Sequence, residues 1–458
     1  MTAASAAPQT LDLSLNRLNR TIVRLALPSV AESLLSTLVY LADTILLGWM
    51  DDPVALAAVG LSGTLMWAAD GLFQAISISA SALVARFWGE ENFEQAREVA
   101  GQSLLLTVIV SLLLMAFFIP VARGFMVLMN AEPAVVEQGA VYMQIILAAS
   151  PISFLLTTAN SIMRAAGDTQ RPLYTSGLMN VIKVIGAYAL IFGLGPIPRL
   201  GLAGAAISTS VARAFGGALA LILLFVPQAP IRLRLAHLWR WDWALIRRIL
   251  RISLPNIGET VISRLGFMLF TRILSELGTV AIAAHQVALR VESLGFMPGW
   301  GMAVAAAALV GQALGAKKPA VAELGIRRAL VLTNLTMALL GGCFVLFAPG
   351  IVRVFGIKNA EMTGLAIAVV RISALELFGL GSLMVLGGCL RGAGDTRTPM
   401  VVTLIGTFFF RVPITYLSAL TLGGGLRGLW LGTVIDWSMR ALVMCVLYLR
   451  GRWKTVEV

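Results

Sequence analysis

Long apolar stretches follow one another along this chain with only short polar breaks between them, a pattern that leaves few ways to fold outside a lipid bilayer. A bilayer-spanning helix needs about 20 mostly apolar residues. Within lipid every backbone N–H and C=O must also be satisfied by the protein itself, which selects helices over open sheets. Twelve such stretches can be read, at 22–48, 54–85, 98–120, 136–160, 172–194, 202–226, 247–274, 280–311, 324–347, 361–389, 399–421 and 425–449. Composition points the same way: 58% hydrophobic and 13% charged residues, with a mean hydropathy of +0.87, lie far from the values of soluble globular chains. The expected fold class is an all-α integral membrane protein with twelve transmembrane helices.

The chain is also built twice. Arg164-Ala165-Ala166-Gly167-Asp168-Thr169-Gln170-Arg171-Pro172 returns as Arg391-Gly392-Ala393-Gly394-Asp395-Thr396-Arg397-Thr398-Pro399, and the same separation of 227 carries Pro28 onto Pro255 and Glu32 onto Glu259. Six helices per repeat return the chain to its starting side, so the halves share one orientation. They are expected to form two parallel six-helix bundles related by a pseudo-twofold axis along the membrane normal, with a solute cleft between them. The corresponding divisions are a cytoplasmic N-terminal segment at 1–21, an N-terminal bundle at 22–226, a cytoplasmic linker at 227–246, a C-terminal bundle at 247–449 and a cytoplasmic tail at 450–458. Pro227, Pro230, Trp239 and Trp241 in the linker suit a strap lying against the lipid headgroups.

A net charge of +12 raises nucleic acid as a partner, but the placement of the basic residues argues against it. With the N-terminus inside, 22 of the 35 Lys and Arg fall on one side of the membrane, and only Arg123, Arg199, Arg353, Lys358 and Arg427 on the other. This is the positive-inside pattern, and it places both termini and the two Gly-Asp-Thr loops in the cytoplasm. Residues 1–16 lack the basic start, short apolar core and cleavage site of a secretory signal, so the first helix is expected to stay in the mature chain. Cys343, Cys389 and Cys445 stand singly in apolar segments and form no disulfide framework. His237 and His285 belong to no metal-ligand spacing, so no metal is expected. Neither Gly-Asp-Thr loop has the Gly-x4-Gly-Lys-Ser/Thr pattern of a phosphate cradle, which leaves no cofactor and no nucleotide hydrolysis in view. A membrane-embedded enzyme would need a cluster of His, Asp or Glu at a helix boundary, which the sequence does not supply.

In these residues the chain resembles the multidrug and toxic compound extrusion (MATE) transporters over nearly its whole length. The resemblance rests on the paired Arg-x-Ala-Gly-Asp-Thr-x-x-Pro loops, Leu27-Pro28 with Leu41-Ala42-Asp43-Thr44, Ala283-Ala284-His285-Gln286 and Leu309-Val310-Gly311-Gln312. It implies a secondary antiporter that exports amphipathic, cationic drugs or metabolites by alternating access, in exchange for protons or sodium. Small organic substrates, those ions and membrane lipids are then the partners. A monomer in a bacterial cytoplasmic (inner) membrane is expected. The competing reading is a flippase for a lipid-linked precursor, an activity of distant relatives in the same larger superfamily.

Charged side chains inside the membrane are costly and therefore the first place to look for function. By resemblance, Asp43 is the helix 1 acid tied to cation coupling. Glu32 lies eleven residues earlier, on nearly the same helix face and about 16 Å lower. With Glu259, its repeat counterpart, it could present carboxylates to a cationic substrate, or could bond neighbouring helices and hold packing. Glu292 is a further candidate for substrate binding. Where some sodium-coupled members carry an aspartate in helix 10, this chain has Leu380, and Glu376 one turn away could substitute. Where some proton-coupled members carry an acid in helix 5, the chain has Ala187, with Lys183 one turn earlier. Protons are favoured over sodium. Arg264, Arg290 and Arg371 are expected to pair with Glu292 and Glu376. Asp436 and Arg440 are expected to pair at i,i+4 spacing. Asp70, Lys183, Arg213 and Arg411 have no partner that the sequence assigns. For Arg164, Gly167, Asp168, Pro172, Arg391, Gly394, Asp395 and Pro399 the favoured role is structural: a glycine ends one helix and an aspartate caps the next.

Overall fold

A computed structural model of the chain describes residues 10–14, 17–50, 52–129, 131–196, 198–239, 241–357 and 359–456, with the side chains of 44, 64, 65, 67, 68 and 239 excepted. Most of the expected N-terminal segment, the end of the tail, Arg240 and Lys358 lie outside the described residues. Among those described there is no β-strand. The helices are α1 (Leu18–Gly48), α2 (Pro53–Gly89), α3 (Phe93–Leu128), α4 (Pro133–Ala148), α5 (Ser150–Ala165), α6 (Gln170–Phe192), α7 (Gly201–Phe225), α8 (Leu235–Trp239), α9 (Trp243–Ser275), α10 (Thr279–Gly315), α11 (Pro319–Arg353), α12 (Ala360–Gly392), α13 (Arg397–Ile405), α14 (Val412–Tyr416) and α15 (Gly425–Leu449).

Each of the twelve apolar stretches falls on helix. Ten described helices are long and apolar enough to cross a membrane, and α4 with α5 makes an eleventh that is bent by 54°. The bend follows from Pro151, which has no N–H to give the Leu147 carbonyl. Ser210 Oγ donates instead to the nearby Ile145 carbonyl at 3.2 Å. The remaining expected span, α9, carries Arg247, Arg248, Arg251, Glu259, Arg264 and Arg272, which lower its hydropathy.

The segment before α15 is irregular for a similar reason. After α13 the helix widens into π turns at Gly406–Arg411 and Leu417–Thr421, on either side of α14. Pro413 cannot bond the Phe409 carbonyl and its ring crowds it, so the backbone opens by one residue per turn.

The chain divides into two compact units: residues 1–10 with Ala31–Arg251, and Leu11–Val30 with Ile252–Val458. This differs from the division expected at residue 22. The start of α1 belongs to the second unit because Leu18, Ile22, Leu25 and Ala26 are buried among Leu309, Val310, Ile326 and Leu386. Gly301 on α10 is what admits it, since a Cβ there would come within 2.7 Å of the Val30 backbone nitrogen.

The linker packs on the first unit's own protein. Ile231 and Leu233 are buried. His237 Nε2 on α8 lies 2.9 Å from Glu94 Oε1, and Arg171 Nη2 donates to the Gln228 carbonyl at 2.7 Å.

Candidate functional site

The two repeated loops have nearly the same construction. Gly167 and Gly394 adopt φ of 91° and 90°, a left-handed conformation that glycine reaches without steric cost. The following amide turns back to the helix it has just left: Asp168 N–H reaches the Met163 carbonyl at 3.0 Å and Asp395 N–H the Leu390 carbonyl at 2.9 Å. Asp168 Oδ1 then accepts from the Gln170 and Arg171 amides, both at 3.1 Å, at the start of α6. Asp395 accepts from the Thr398 amide at 3.0 Å and its hydroxyl at 2.6 Å, at the start of α13. Pro172 and Pro399 sit in the first turn of each helix, where a missing N–H costs nothing.

The loop arginines reach back to the repeated glutamates. In the first unit Arg164 Nη1 bonds Glu32 Oε2 at 3.0 Å and Ser176 Oγ donates to Glu32 Oε1 at 2.6 Å. In the second, Arg391 Nη2 bonds Glu259 Oε1 at 2.6 Å and Thr403 Oγ1 donates to the same oxygen at 3.1 Å. Both glutamates are mostly covered, each 16% exposed. Each thus stands in a tie of acid, arginine and hydroxyl drawn from within its own unit, which favours the packing reading of Glu32 and Glu259. Ser176 and Thr403 escaped the sequence reading although they too are 227 residues apart.

Beyond these ties the units part. On α1, Asp43 is ion-paired with Lys183 of α6. Arg213 on α7 stands 3.8 Å from Asp70 on α2. Tyr142 on α4 interacts with both Asp43 and Arg213, which joins the two pairs into one cluster. All four charges that the sequence placed here thereby acquire a partner, none of which lay within helical spacing.

In the second unit Glu292 on α10 and Glu376 on α12 lie in contact, and the base that accompanies both is Arg411. The expected partners of these acids were Arg264, Arg290 and Arg371. Arg411, which ends the first π turn, also pairs with Asp436 of α15. Arg371 is exposed. Glu376 is 1% exposed, and Thr433 Oγ1 donates to its Oε2 at 2.9 Å. Its Oε1 meets no hydrogen-bond donor among the described residues.

Asp436, fully buried, accepts from Arg440 Nε at 2.6 Å and from Arg411 Nε at 2.8 Å. Arg411 also stacks over the Trp437 ring at 4.6 Å. The i,i+4 pair is therefore part of a larger network in which Arg411 bonds Asp436 and its charge acts on the two glutamates. His285 lies apart from it, accepting from Trp430 Nε1 at 3.2 Å in the core. Among the described residues no group of three or more His, Cys, Asp or Glu is arranged to hold a metal ion.

Known proteins place these two clusters in context. The family described as MatE matches residues 28–189 and again 255–417, once in each half. A probable multidrug resistance protein NorM from Thermotoga maritima is 29% identical across 95% of this chain and 93% of its own length. Another probable NorM, from Burkholderia pseudomallei, is 30% identical across 96% and 94%. Among solved structures, the outward-facing conformation of a multidrug resistance MATE family transporter of the MOP superfamily aligns with a TM-score of 0.91 at 25% identity, covering 98% of both chains.

Proposed function

The chain belongs to the MatE family of membrane transporters, and from that premise we propose a secondary antiporter that exports amphipathic, cationic drugs or metabolites by alternating access in exchange for protons. It works as a monomer in a bacterial cytoplasmic membrane, with both termini inside. The multidrug resistance named for its relatives supports the substrate class.

One observation carries the coupling ion. In the second unit Arg411 acts on three acids, Glu292, Glu376 and Asp436, and the first two of these lie in contact. Two carboxyls in contact have no donor hydrogen between them unless one is protonated, and Glu376 Oε1 lacks any other donor. One proton held by Glu292 and Glu376 supplies the missing hydrogen bond. Glu376, with Glu292 beside it, is thus the main coupling group, and Asp43 the second. Glu292 then handles the coupling ion rather than the substrate. The tied glutamates, Glu32 and Glu259, hold the scaffold.

The test is export of a fluorescent organic cation from proteoliposomes under an imposed proton gradient or sodium gradient. Proton-driven export that fails in Glu376→Gln is the expected result. Export driven by sodium alone overturns proton coupling. A protein that moves no drug under either gradient but scrambles lipid-linked sugars overturns the exporter and supports the flippase.

A further inference from the structure

In the first unit an ammonium group stands where an antiporter would hold an exchangeable cation. Lys183 is bonded to Asp43, and the pair is largely covered, with Lys183 14% and Asp43 25% exposed. The titratable and charged groups facing it come from several helices: Arg213 from α7 acts on Lys183, Tyr142 from α4 on Asp43, and Asp70 from α2 on Arg213. Asp43 and Asp70 are matched by Lys183 and Arg213, so the charges cancel without any ion from solution.

A sodium ion entering this cluster would leave it net positive in a medium of low dielectric, with two cations as neighbours. It would also have to displace a cation that is covalently attached, whose effective concentration at the carboxylate does not fall when the bath is diluted. A proton adds the same unit of charge but needs no ring of oxygen ligands, because one covalent O–H bond holds it. It bonds to a carboxylate oxygen of Asp43, cancels the negative charge and releases the Lys183 ammonium; when the O–H bond breaks, the proton leaves and the ion pair re-forms.

We propose that Lys183 is a tethered cation that excludes sodium from Asp43, so that the first unit exchanges protons only. This deepens the antiport reading by setting the ion selectivity of one of its two coupling sites, and it rests on that reading for its relevance to transport.

The test measures sodium bound per chain by equilibrium dialysis of the purified, monodisperse full-length protein with radioactive sodium. Lys183→Gln is expected to bind one sodium ion per chain more than wild type, and the gain should vanish in Asp43→Asn/Lys183→Gln. Lys183→Arg, which keeps the tethered charge, should match wild type. A Lys183→Gln protein that gains no sodium overturns the proposal. If that variant does not fold, wild type is compared with Asp43→Asn: equal stoichiometry supports exclusion, and loss of a bound sodium in Asp43→Asn overturns it. Because binding is read without transport, a protein that exports nothing in liposomes defeats the antiport reading while leaving this result to stand or fall separately.

Discussion

Glu32 and Glu259 occupy matching places in their units and are held in the same manner, by Arg164 with Ser176 and by Arg391 with Thr403. The charges deeper in each unit do not match at all. The first unit's cluster has as many bases as acids among its described residues, Lys183 and Arg213 against Asp43 and Asp70. The second brings two carboxyls, Glu292 and Glu376, into contact beside Asp436 with Arg411 and Arg440. Duplication therefore preserved what positions the helices and released the charged groups deeper in each unit. A shared scaffold can carry one cluster of acid–base pairs and another in which two acids meet.

The comparison breaks most directly at Glu376. Glu376→Gln removes a carboxyl proposed to share the proton with Glu292 and is expected to lower proton-driven export about a thousand-fold, read as initial rates in proteoliposomes. Asp43→Asn should fall by less, about tenfold, because it disturbs a cluster with no charge surplus. Equal losses in the two variants would remove the distinction between the units.

Stability should show the opposite pattern, with symmetric effects. Arg164→Ala and Arg391→Ala each leave a mostly buried glutamate without its cation and are expected to cost about 3 kcal/mol, measured as a shift in the unfolding midpoint in detergent. A much smaller loss from one of them would show that the two ties are not equivalent. The smallest effects belong to the hydroxyls. Ser176→Ala and Thr403→Val each remove one hydrogen bond to a carboxylate that keeps its arginine, for about 1 kcal/mol apiece.

The legible part of the molecule was set by short-range or periodic constraints. Apolar length located the ten helices long and apolar enough to cross a membrane, the π-widened segment after α12 among them, and the bent α4–α5 pair, because lipid enforces hydrophobicity whatever the local backbone geometry. The repeat fixed the Gly-Asp-Thr loops, whose caps span only a few residues. Asp436 and Arg440 were legible for the same reason, one helical turn apart.

The other partners depend on how helices rotate against each other. Lys183 meets Asp43 across 140 residues, and hydropathy carries no record of which faces of α1 and α6 meet. Arg411 was assigned no partner because its direction depends on a π turn, which periodicity at 3.6 residues places elsewhere. The 227-residue offset could have revealed Ser176 and Thr403, had it been applied to hydroxyl residues as well as to charges.

The tie of glutamate, arginine and hydroxyl also dates the events in this chain's history. A three-residue arrangement shared at one constant offset is most simply inherited from a single ancestral half that already possessed it, before the gene was doubled. Two unequal charge clusters, by contrast, must have arisen after the copies began to diverge. An artificial chain made from two first halves should accordingly assemble its loops and helices twice over, yet contain two sets of Asp–Lys and Asp–Arg pairs and no touching glutamates.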